Sequence, residues 1–277
     1  MKSFYKLKSY MALRFLILAL LALLVLNLAS IFIEYYLNEY THSSITATYT
    51  FKRYVTELFN FDGERNLPTY FSTMNLLISA VILFAIGRHL KRSHHLTYHK
   101  QWFLMGWIFV WLGVDELISI HELLVKPSRS FLKTSLQQDN LGLLNFGWFV
   151  PYILLFGLIG LYLVKFVLSL PRKTLVNFVA AGAIFLFGAV GMEMVGGLFI
   201  ANQGDGFSLA YKLLTSFEEM LEMLGIIFFI YSLVRYIETQ QELKDLAIVA
   251  IYVNPEEEKA PAPVARQEEA LAIADAS

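Results

Sequence analysis

The stretch FLILALLALLVLNLASIFIEYYL, residues Phe15–Leu37, decides the fold class. A helix needs about 20 mostly apolar residues to cross the hydrocarbon core of a bilayer, where unpaired backbone groups are too costly. Five further stretches are comparably apolar, namely Tyr70–Gly87, Trp102–Leu124, Leu144–Val164, Val176–Ile200 and Leu213–Val234. The sequence therefore predicts an all-α integral membrane protein, built as a six-transmembrane-helix bundle.

The composition of the whole chain agrees with this fold class. Of the 277 residues, 57% are hydrophobic and 16% are charged, whereas soluble domains contain about 45–50% apolar and about 25% charged residues. The 22 Lys and Arg residues are balanced by 23 Asp and Glu residues. We therefore expect membrane lipids as surroundings and no nucleic-acid partner, which would require a basic excess. The absence of cysteine excludes disulfides, iron–sulfur clusters and thiolate nucleophiles.

The Lys and Arg residues indicate the orientation, since short positively charged loops stay cytoplasmic. The N-terminus and the loops after the second and fourth spans carry more of them than the opposite loops do. The loop after the third span is nevertheless basic too, with Lys126, Arg129 and Lys133. Six spans with both termini cytoplasmic, in a plasma membrane, is the simplest arrangement. We expect the first span to be retained, because it is long for a signal peptide.

Polar segments flank a membrane domain that is expected to cover residues 15–236. Residues 1–14 form the predicted cytoplasmic N-terminus, and residues 237–277 form the cytoplasmic tail. The tail keeps a helical pattern to about residue 253, where Asn254-Pro255 ends it. The rest of the tail is acidic and rich in small residues, so we expect it to be disordered.

The first outer loop, residues 38–69, is expected to contain an interfacial helix. Its apolar residues recur at the spacing of one helical face. Such a helix covers the outer mouth of the bundle or admits lipid to it. The apolar residues are Phe51, Tyr54, Val55, Leu58 and Phe59.

Eight acidic residues lie inside the predicted spans, which contain no Lys or Arg. A charged carboxylate costs at least about 2.5 kcal/mol at the centre of a bilayer, so such residues mark functional sites. With the predicted orientation, all eight fall in the outer half of their spans. They are Glu34, Asp115, Glu116, Glu122, Glu193, Glu218, Glu219 and Glu222.

Several carboxyl groups in one apolar layer cannot all be ionised, so they share protons or bind a cation. A divalent metal ion is the simplest solution, because oxygen-rich ligands with one imidazole suit Mn, Fe, Ca or a carboxylate-rich Zn site. The alternatives are a proton relay and protonated acids that only specify helix packing. The predicted metal ligands are Asp115, His121, Glu122, Glu193, Glu218 and Glu222.

Helical spacing assigns further roles within this layer. Asp115, Ser119 and Glu122 fall within about 60° of one another on one face of the third span. Glu193 shares its face with small residues that allow close helix packing, so we expect it to point inward. Glu193 and Glu219 are the candidate catalytic residues. Side chains expected to support the ligands through hydrogen bonds are Ser72, Asn75, Glu116, Ser119 and Asn145.

The distribution of polar residues favours an enzyme over a channel. The inner halves of the spans contain few polar side chains, whereas a permeation path needs them through the full thickness. A one-sided acidic pocket suits chemistry on a membrane-embedded substrate, with a metal ion polarising a bond or activating water. We expect a metal-dependent hydrolase or oxidoreductase that acts on a lipid or another amphiphile. The alternatives are a cation- or proton-coupled transporter and a non-catalytic membrane subunit.

Overall fold

The computed structural model describes residues 3–6, 8–41, 51–92, 98–204, 206, 208–243, 246 and 250–253. The chain divides into two compact units, and the larger one, Lys8–Leu246, contains all the long helices. These helices are α1 (Ser9–Thr41), α2 (Phe51–Phe59), α3 (Leu67–Arg92), α4 (His99–Ile118), α5 (Ile120–Leu136), α6 (Phe149–Ser169), α7 (Arg172–Leu186), α8 (Glu193–Gln203) and α9 (Leu209–Thr239).

Six helices in the described part of the chain are long and apolar enough to cross a membrane. They are α1, α3, α4, α6, the run from α7 through α8, and α9. The predicted number of long apolar helices is therefore confirmed, and the six helices are consistent with a multi-pass membrane protein. The helices extend beyond several predicted ends, because hydropathy detects the apolar middle of a helix and misses its polar turns. As a result, α9 includes Lys212.

Helix α9 packs against α1, α3, α7 and α8. Its C-terminal half is buried, with Ile227 and Leu233 fully enclosed. Gly225 allows the close approach of α7, since a Cβ atom at this position would lie 2.7 Å from the Phe185 backbone nitrogen. On its other side, Met223 and Ile227 pack with Leu20 of α1. Helix α9 is thus the central helix of the packing between α1, α3, α7 and α8.

The predicted third span is not one helix. Ser119 adopts a left-handed backbone conformation, with φ 55° and ψ 49°, between α4 and α5. Its N–H donates to the Asp115 carbonyl over 2.6 Å and closes α4. The expectation that Asp115, Ser119 and Glu122 share a face of one helix is therefore wrong. The chain leaves α4 in a new direction at Ser119.

The fifth span is continuous, but its middle is widened. Residues Phe187–Met192 form a π-helical segment between α7 and α8. Such segments contain one extra residue per turn and often lie beside functional sites. This one ends directly before Glu193.

A helix is present in the first loop, where α2 covers Phe51–Phe59. The Ser30 hydroxyl of α1 donates to the Thr56 carbonyl over 2.6 Å. After α2, Phe61 is buried against Leu20 and its N–H donates to the Asn27 side chain over 2.9 Å. The segment after α2 is thus attached to α1.

The C-terminal part of the chain differs from the prediction. Helix α9 ends at Thr239, so the expected helix to about residue 253 is not observed. The smaller unit, Met1–Leu7 with Ala247–Ser277, contains strands β1 (Ser3–Lys6) and β2 (Ala250–Val253), which pair antiparallel. The β-branched residues of this segment favour an extended strand once it has a partner. The expected disorder concerns residues 254–277, which lie outside the described residues.

Candidate functional site

The acidic residues of α4, α5, α8 and α9 come together at one end of the bundle. Glu222 interacts electrostatically with Asp115, Glu116, His121 and Glu193. Further members are Glu122, Glu218 and Glu219, and the segment between α2 and α3 adds Asp62 and Glu64. We call these ten residues the acidic cluster.

Asp115 is the most extensively hydrogen-bonded member of the cluster. Its Oδ1 accepts from the His121 backbone N–H over 2.8 Å and from the Tyr152 hydroxyl over 3.0 Å. Its Oδ2 lies 3.3 Å from His121 Nδ1. The Asp115 side chain is buried and caps the first turn of α5. A carboxylate that holds the Nδ1 of a histidine leaves Nε2 for proton exchange.

The break at Ser119 brings His121 back to Asp115. In a continuous helix, side chains six residues apart point about 120° away from each other around the helix axis, so they do not meet. The left-handed conformation of Ser119 interrupts the helix and places the start of α5 over the Asp115 carboxylate, so that His121 and Asp115 meet. Ser119 also donates its hydroxyl proton to Glu64. This side chain therefore contacts the cluster through a residue of the first loop, and its support of the predicted metal ligands stays a prediction.

Trp148 joins the two halves of the cluster. Its indole Nε1 donates to Glu193 Oε1 over 2.8 Å. Its ring lies 4.9 Å from the His121 ring and 5.3 Å from the Tyr152 ring, measured between centroids. The Trp148 ring thus lies between the Asp115–His121 pair and Glu193 and contacts both sides.

Glu193 and Glu218 form the second half of the cluster. Their carboxyl groups lie close enough to each other to interact directly. Two carboxyl groups can hydrogen-bond to each other only when one of them carries a proton, because ionised carboxylates have no donor. Gly188 in the π segment allows α9 to approach closely, since a Cβ atom there would lie 2.9 Å from Glu222 Cγ and 3.0 Å from the Glu218 carbonyl oxygen. Glycine therefore sets the distance between the π segment and α9.

The acids on the α3 side have a different neighbourhood. Glu116 is hydrogen-bonded to the Ser72 side chain of α3. Glu219 interacts electrostatically with Glu222, Glu116 and Glu64. The predicted catalytic residues Glu193 and Glu219 thus lie in different parts of the cluster.

Two of the predicted supporting residues have an unpaired side-chain nitrogen. Among the described residues, the side-chain nitrogens of Asn75 and Asn145 are buried without a hydrogen-bond partner. Asn145 packs against Gly197 of α8, where a Cβ atom would lie 3.3 Å from Asn145 Cβ. Ser72 and Glu116, in contrast, contact each other as part of the cluster.

Glu34 lies at the rim and has a basic partner. Its Oε2 is 2.6 Å from Lys212 Nζ. The prediction that all eight intramembrane acids lack a basic partner is therefore wrong for Glu34. Because α9 begins at Leu209, Lys212 reaches the same level of the bundle.

Sequence reasoning missed four residues of this site: Asp62, Glu64, Trp148 and Tyr152. Asp62 and Glu64 lie outside the apolar spans, so the search for intramembrane acids did not include them. The sequence DGERN after the amphipathic α2 could have drawn attention to them. Trp148 and Tyr152 are typical of membrane-interface aromatics and carried no specific signal.

The environment changes the protonation of groups outside the six spans. Partial desolvation raises the pKa of Asp62 to about 6, although Lys212 opposes the change. Partial desolvation and the charge of Glu64 raise the pKa of Glu122. Burial acts to lower the pKa of His121, but the hydrogen bond and charge of Asp115, with Glu222 and Glu116, raise it to about 9. His121 is therefore a cation at neutral pH, within a cluster of acids.

The geometry of a metal site is not evident in the cluster. Within the described part of the chain, no group of three or more His, Asp or Glu side chains is arranged so that it could hold a metal ion. Asp115 hydrogen-bonds instead to His121 and Tyr152, and Glu193 hydrogen-bonds to Trp148. Metal binding by these residues stays a prediction.

An apolar cavity of about 250 Å³ lies next to the cluster. Its walls include Leu76 of α3, Leu112 of α4, Phe185 of α7 and Ile226 of α9. Each of these lining residues lies about one helical turn along its helix from a residue at the level of the cluster. Leu112, for example, lies one turn from Asp115. Apolar space thus continues from the acids into the bundle.

Comparison with known proteins adds a family. The profile of a domain of unknown function (DUF8692) matches residues 11–236. The chain belongs to this family. The matched region includes all six helices that could cross a membrane and every residue of the acidic cluster. No curated protein and no solved structure matches the chain.

Proposed function

We propose that this protein performs acid–base chemistry on the polar group of a membrane amphiphile, with the acidic cluster as its source and acceptor of protons. The observation that carries the proposal is the hydrogen-bonded arrangement of Asp115, His121 and Tyr152 beside the Glu193–Glu218 pair. Metal coordination is not needed for this chemistry, although the predicted divalent ion would occupy the same residues.

The Asp115–His121 pair supplies the group that exchanges a proton. Asp115 holds His121 through Nδ1, and no hydrogen-bond partner of Nε2 is found among the described residues. A histidine held in this way can give up or accept a proton at Nε2. Since its pKa is raised to about 9, His121 acts first as the acid.

The Glu193–Glu218 pair supplies a second exchangeable proton. A proton shared by two carboxyl groups can pass to a base while the remaining charge stays hydrogen-bonded to Trp148. His121 lies against the same Trp148 ring, so the two proton donors border one region.

The apolar cavity supports a membrane amphiphile as the substrate class. A molecule with its alkyl part between Leu112 and Ile226 would place its polar group at the level of Asp115 and Glu222. The predicted orientation, with both termini in the cytoplasm, would open this end to the outer leaflet of a plasma membrane. Helix α2, as an interfacial helix, would lie beside the entry.

Reconstitution tests this function. The full chain is placed in liposomes of a total polar lipid extract, and lipid composition is followed by mass spectrometry, beside His121→Gln and Glu193→Gln. Asp139→Asn is the matched control, since Asp139 is an exposed acid outside the cluster. We expect turnover that is lost in the first two variants and kept in the control.

Proton release is measured on the same preparations by infrared spectroscopy of protonated carboxyl groups during a rise in pH. A carboxyl band that Glu218→Gln removes and Asp139→Asn leaves supports proton sharing. Proton-driven flux without lipid turnover would instead identify a transporter, and unchanged turnover in His121→Gln would refute the acid–base role.

A further inference from the structure

A second cavity lies at the opposite end of the bundle, where α7 begins and α9 ends. Its volume is about 360 Å³. Tyr236, in its wall, is separated from Glu222 by roughly 21 Å along α9. We call this cavity the basic pocket. Its wall includes Arg172, Lys173, Thr174, Asn177, Ser232 and Arg235.

Three cationic side chains surround the basic pocket. Arg172 and Lys173 come from α7 and Arg235 comes from α9, and all three are exposed. Within the described ranges, none of them forms an ion pair with a carboxylate. The neighbouring Glu238 instead accepts hydrogen bonds from Ser9, over 2.8 Å from its N–H and 2.7 Å from its hydroxyl. The positive charge of the pocket is therefore available to a ligand.

Thr174 supplies a hydroxyl group to the wall of the basic pocket. The residue as a whole is 7% exposed. A threonine hydroxyl that borders a cavity can donate a hydrogen bond to a ligand that accepts. Asn177, one turn further along α7, adds an amide to the same wall.

The backbone at the start of α7 adds donors to these side chains. The first N–H group that bonds within the helix is that of Leu175, which donates to the Pro171 carbonyl over 2.9 Å. The N–H groups of Arg172, Lys173 and Thr174 precede it and have no intrahelical acceptor. This end of the helix therefore favours an anion, in addition to the side-chain charges.

We propose that the basic pocket binds a phosphate group. Guanidinium groups bind phosphate through two parallel hydrogen bonds, and a tetrahedral oxyanion can use both arginines, Lys173 and the Thr174 hydroxyl at once. Two sources offer this chemistry, the headgroup of an anionic phospholipid and a water-soluble phosphate. The pocket lies away from the acidic cluster, so this inference does not depend on the proposed function.

Binding is measured on the purified full chain in mild detergent. Native mass spectrometry compares adducts with phosphatidylglycerol and phosphatidylcholine, and calorimetry measures inorganic phosphate. The variants are Arg235→Gln, which removes one charge, and Thr174→Val, which removes only the hydroxyl. Arg88→Gln is the matched control, because Arg88 is an exposed arginine on α3 that does not line the pocket. Thermal melting confirms that each variant is folded.

We expect Arg235→Gln to weaken binding about tenfold and Thr174→Val to weaken it less, with Arg88→Gln unchanged. If the two variants lose only the binding of phosphatidylglycerol, the pocket is assigned to a lipid headgroup. If they lose only the binding of inorganic phosphate, it is assigned to a soluble phosphate. Loss of both shows that the phosphate group is sufficient. Absence of binding by the unmodified chain, or equal binding by all variants, would overturn the proposal.

Discussion

The two ends of the helical bundle hold charge in opposite ways. At one end, Asp115 and Glu218 are buried, and Asp115 is hydrogen-bonded to His121 within the acidic cluster. At the other end, Arg172 and Arg235 are exposed around a cavity and form no ion pair among the described residues. Buried charge is costly unless it is paired or neutralised, whereas exposed charge is not. The acidic end is therefore organised by its own hydrogen bonds, and the basic end is organised to accept a ligand.

The largest expected effect comes from removing Asp115, which holds the acidic end together. In Asp115→Ala, the His121 cation and the Tyr152 hydroxyl lose their acceptor. Breaking one partner of a buried pair costs about 3–5 kcal/mol. Unfolding of the detergent-solubilised protein by denaturant measures this loss. Asp139→Ala is the control and should unfold like the unmodified chain, and equal unfolding of both variants would contradict the role of Asp115.

The next effect is a loss of stability at high pH. The pKa of His121 rises from 6.5 to about 9 on folding, so the folded protein binds this proton more tightly than the unfolded chain does. The resulting stability, on the order of 3 kcal/mol, is fully present below pH 6.5 and is lost as the pH rises through about 9.

The measurement is the unfolding free energy across this pH range. His121→Gln should remove most of its slope, while His99→Gln, at the other end of the bundle, should keep it. Equal slopes in both variants would show that another group titrates.

A smaller effect is expected at the contact between the π segment and α9. Gly188→Ala places a methyl group 2.9 Å from Glu222 Cγ and 3.0 Å from the Glu222 backbone nitrogen. Overpacking of this kind costs about 1–3 kcal/mol. Gly182→Ala is the matched control, since a Cβ atom there meets nothing within 4 Å, and alanine should stabilise that helix by about 0.5–1 kcal/mol. Thermal unfolding should therefore move in opposite directions.

The smallest effect is expected from Trp148→Phe. The variant keeps an aromatic ring beside His121 but loses the donor to Glu193. One hydrogen bond contributes about 0.5–1.5 kcal/mol, and somewhat more when its acceptor is charged. In a double-mutant cycle with Glu193→Gln, the double variant should lose less unfolding free energy than the sum of the losses in the two single variants. Full additivity would show that the 2.8 Å contact contributes nothing.

Much of the architecture could be predicted from the sequence, because the relevant signal is local. Runs of apolar residues predicted six spans, and the positions of Glu193, Glu218 and Glu222 along them indicated a shared layer. Hydropathy and helix rise depend only on the chain itself, so no tertiary contact was needed.

The details of the site depend on contacts that a linear pattern does not contain. Serine has no strong preference for the left-handed conformation found at Ser119, and the break follows from the cap that Asp115 provides to α5. Asp62 and Glu64 join the cluster because Phe61 is anchored between α1 and α9. The tail was predicted to be helical to about residue 253 because its period suits a helix, whereas the described segment Ala250–Val253 pairs with another strand.

The π segment has a consequence for how this site tolerates insertions and deletions. Residues Phe187–Met192 hold one residue more than α-helical turns would need, so everything from Glu193 to Gln203 is rotated by about 100° relative to an uninterrupted helix. Deleting a single residue there would leave the length, hydropathy and packing glycines of the span nearly unchanged. It would nevertheless turn Glu193 away from Trp148 and Glu218. Which residue faces the cluster thus depends on the number of residues in the π segment as much as on their chemistry.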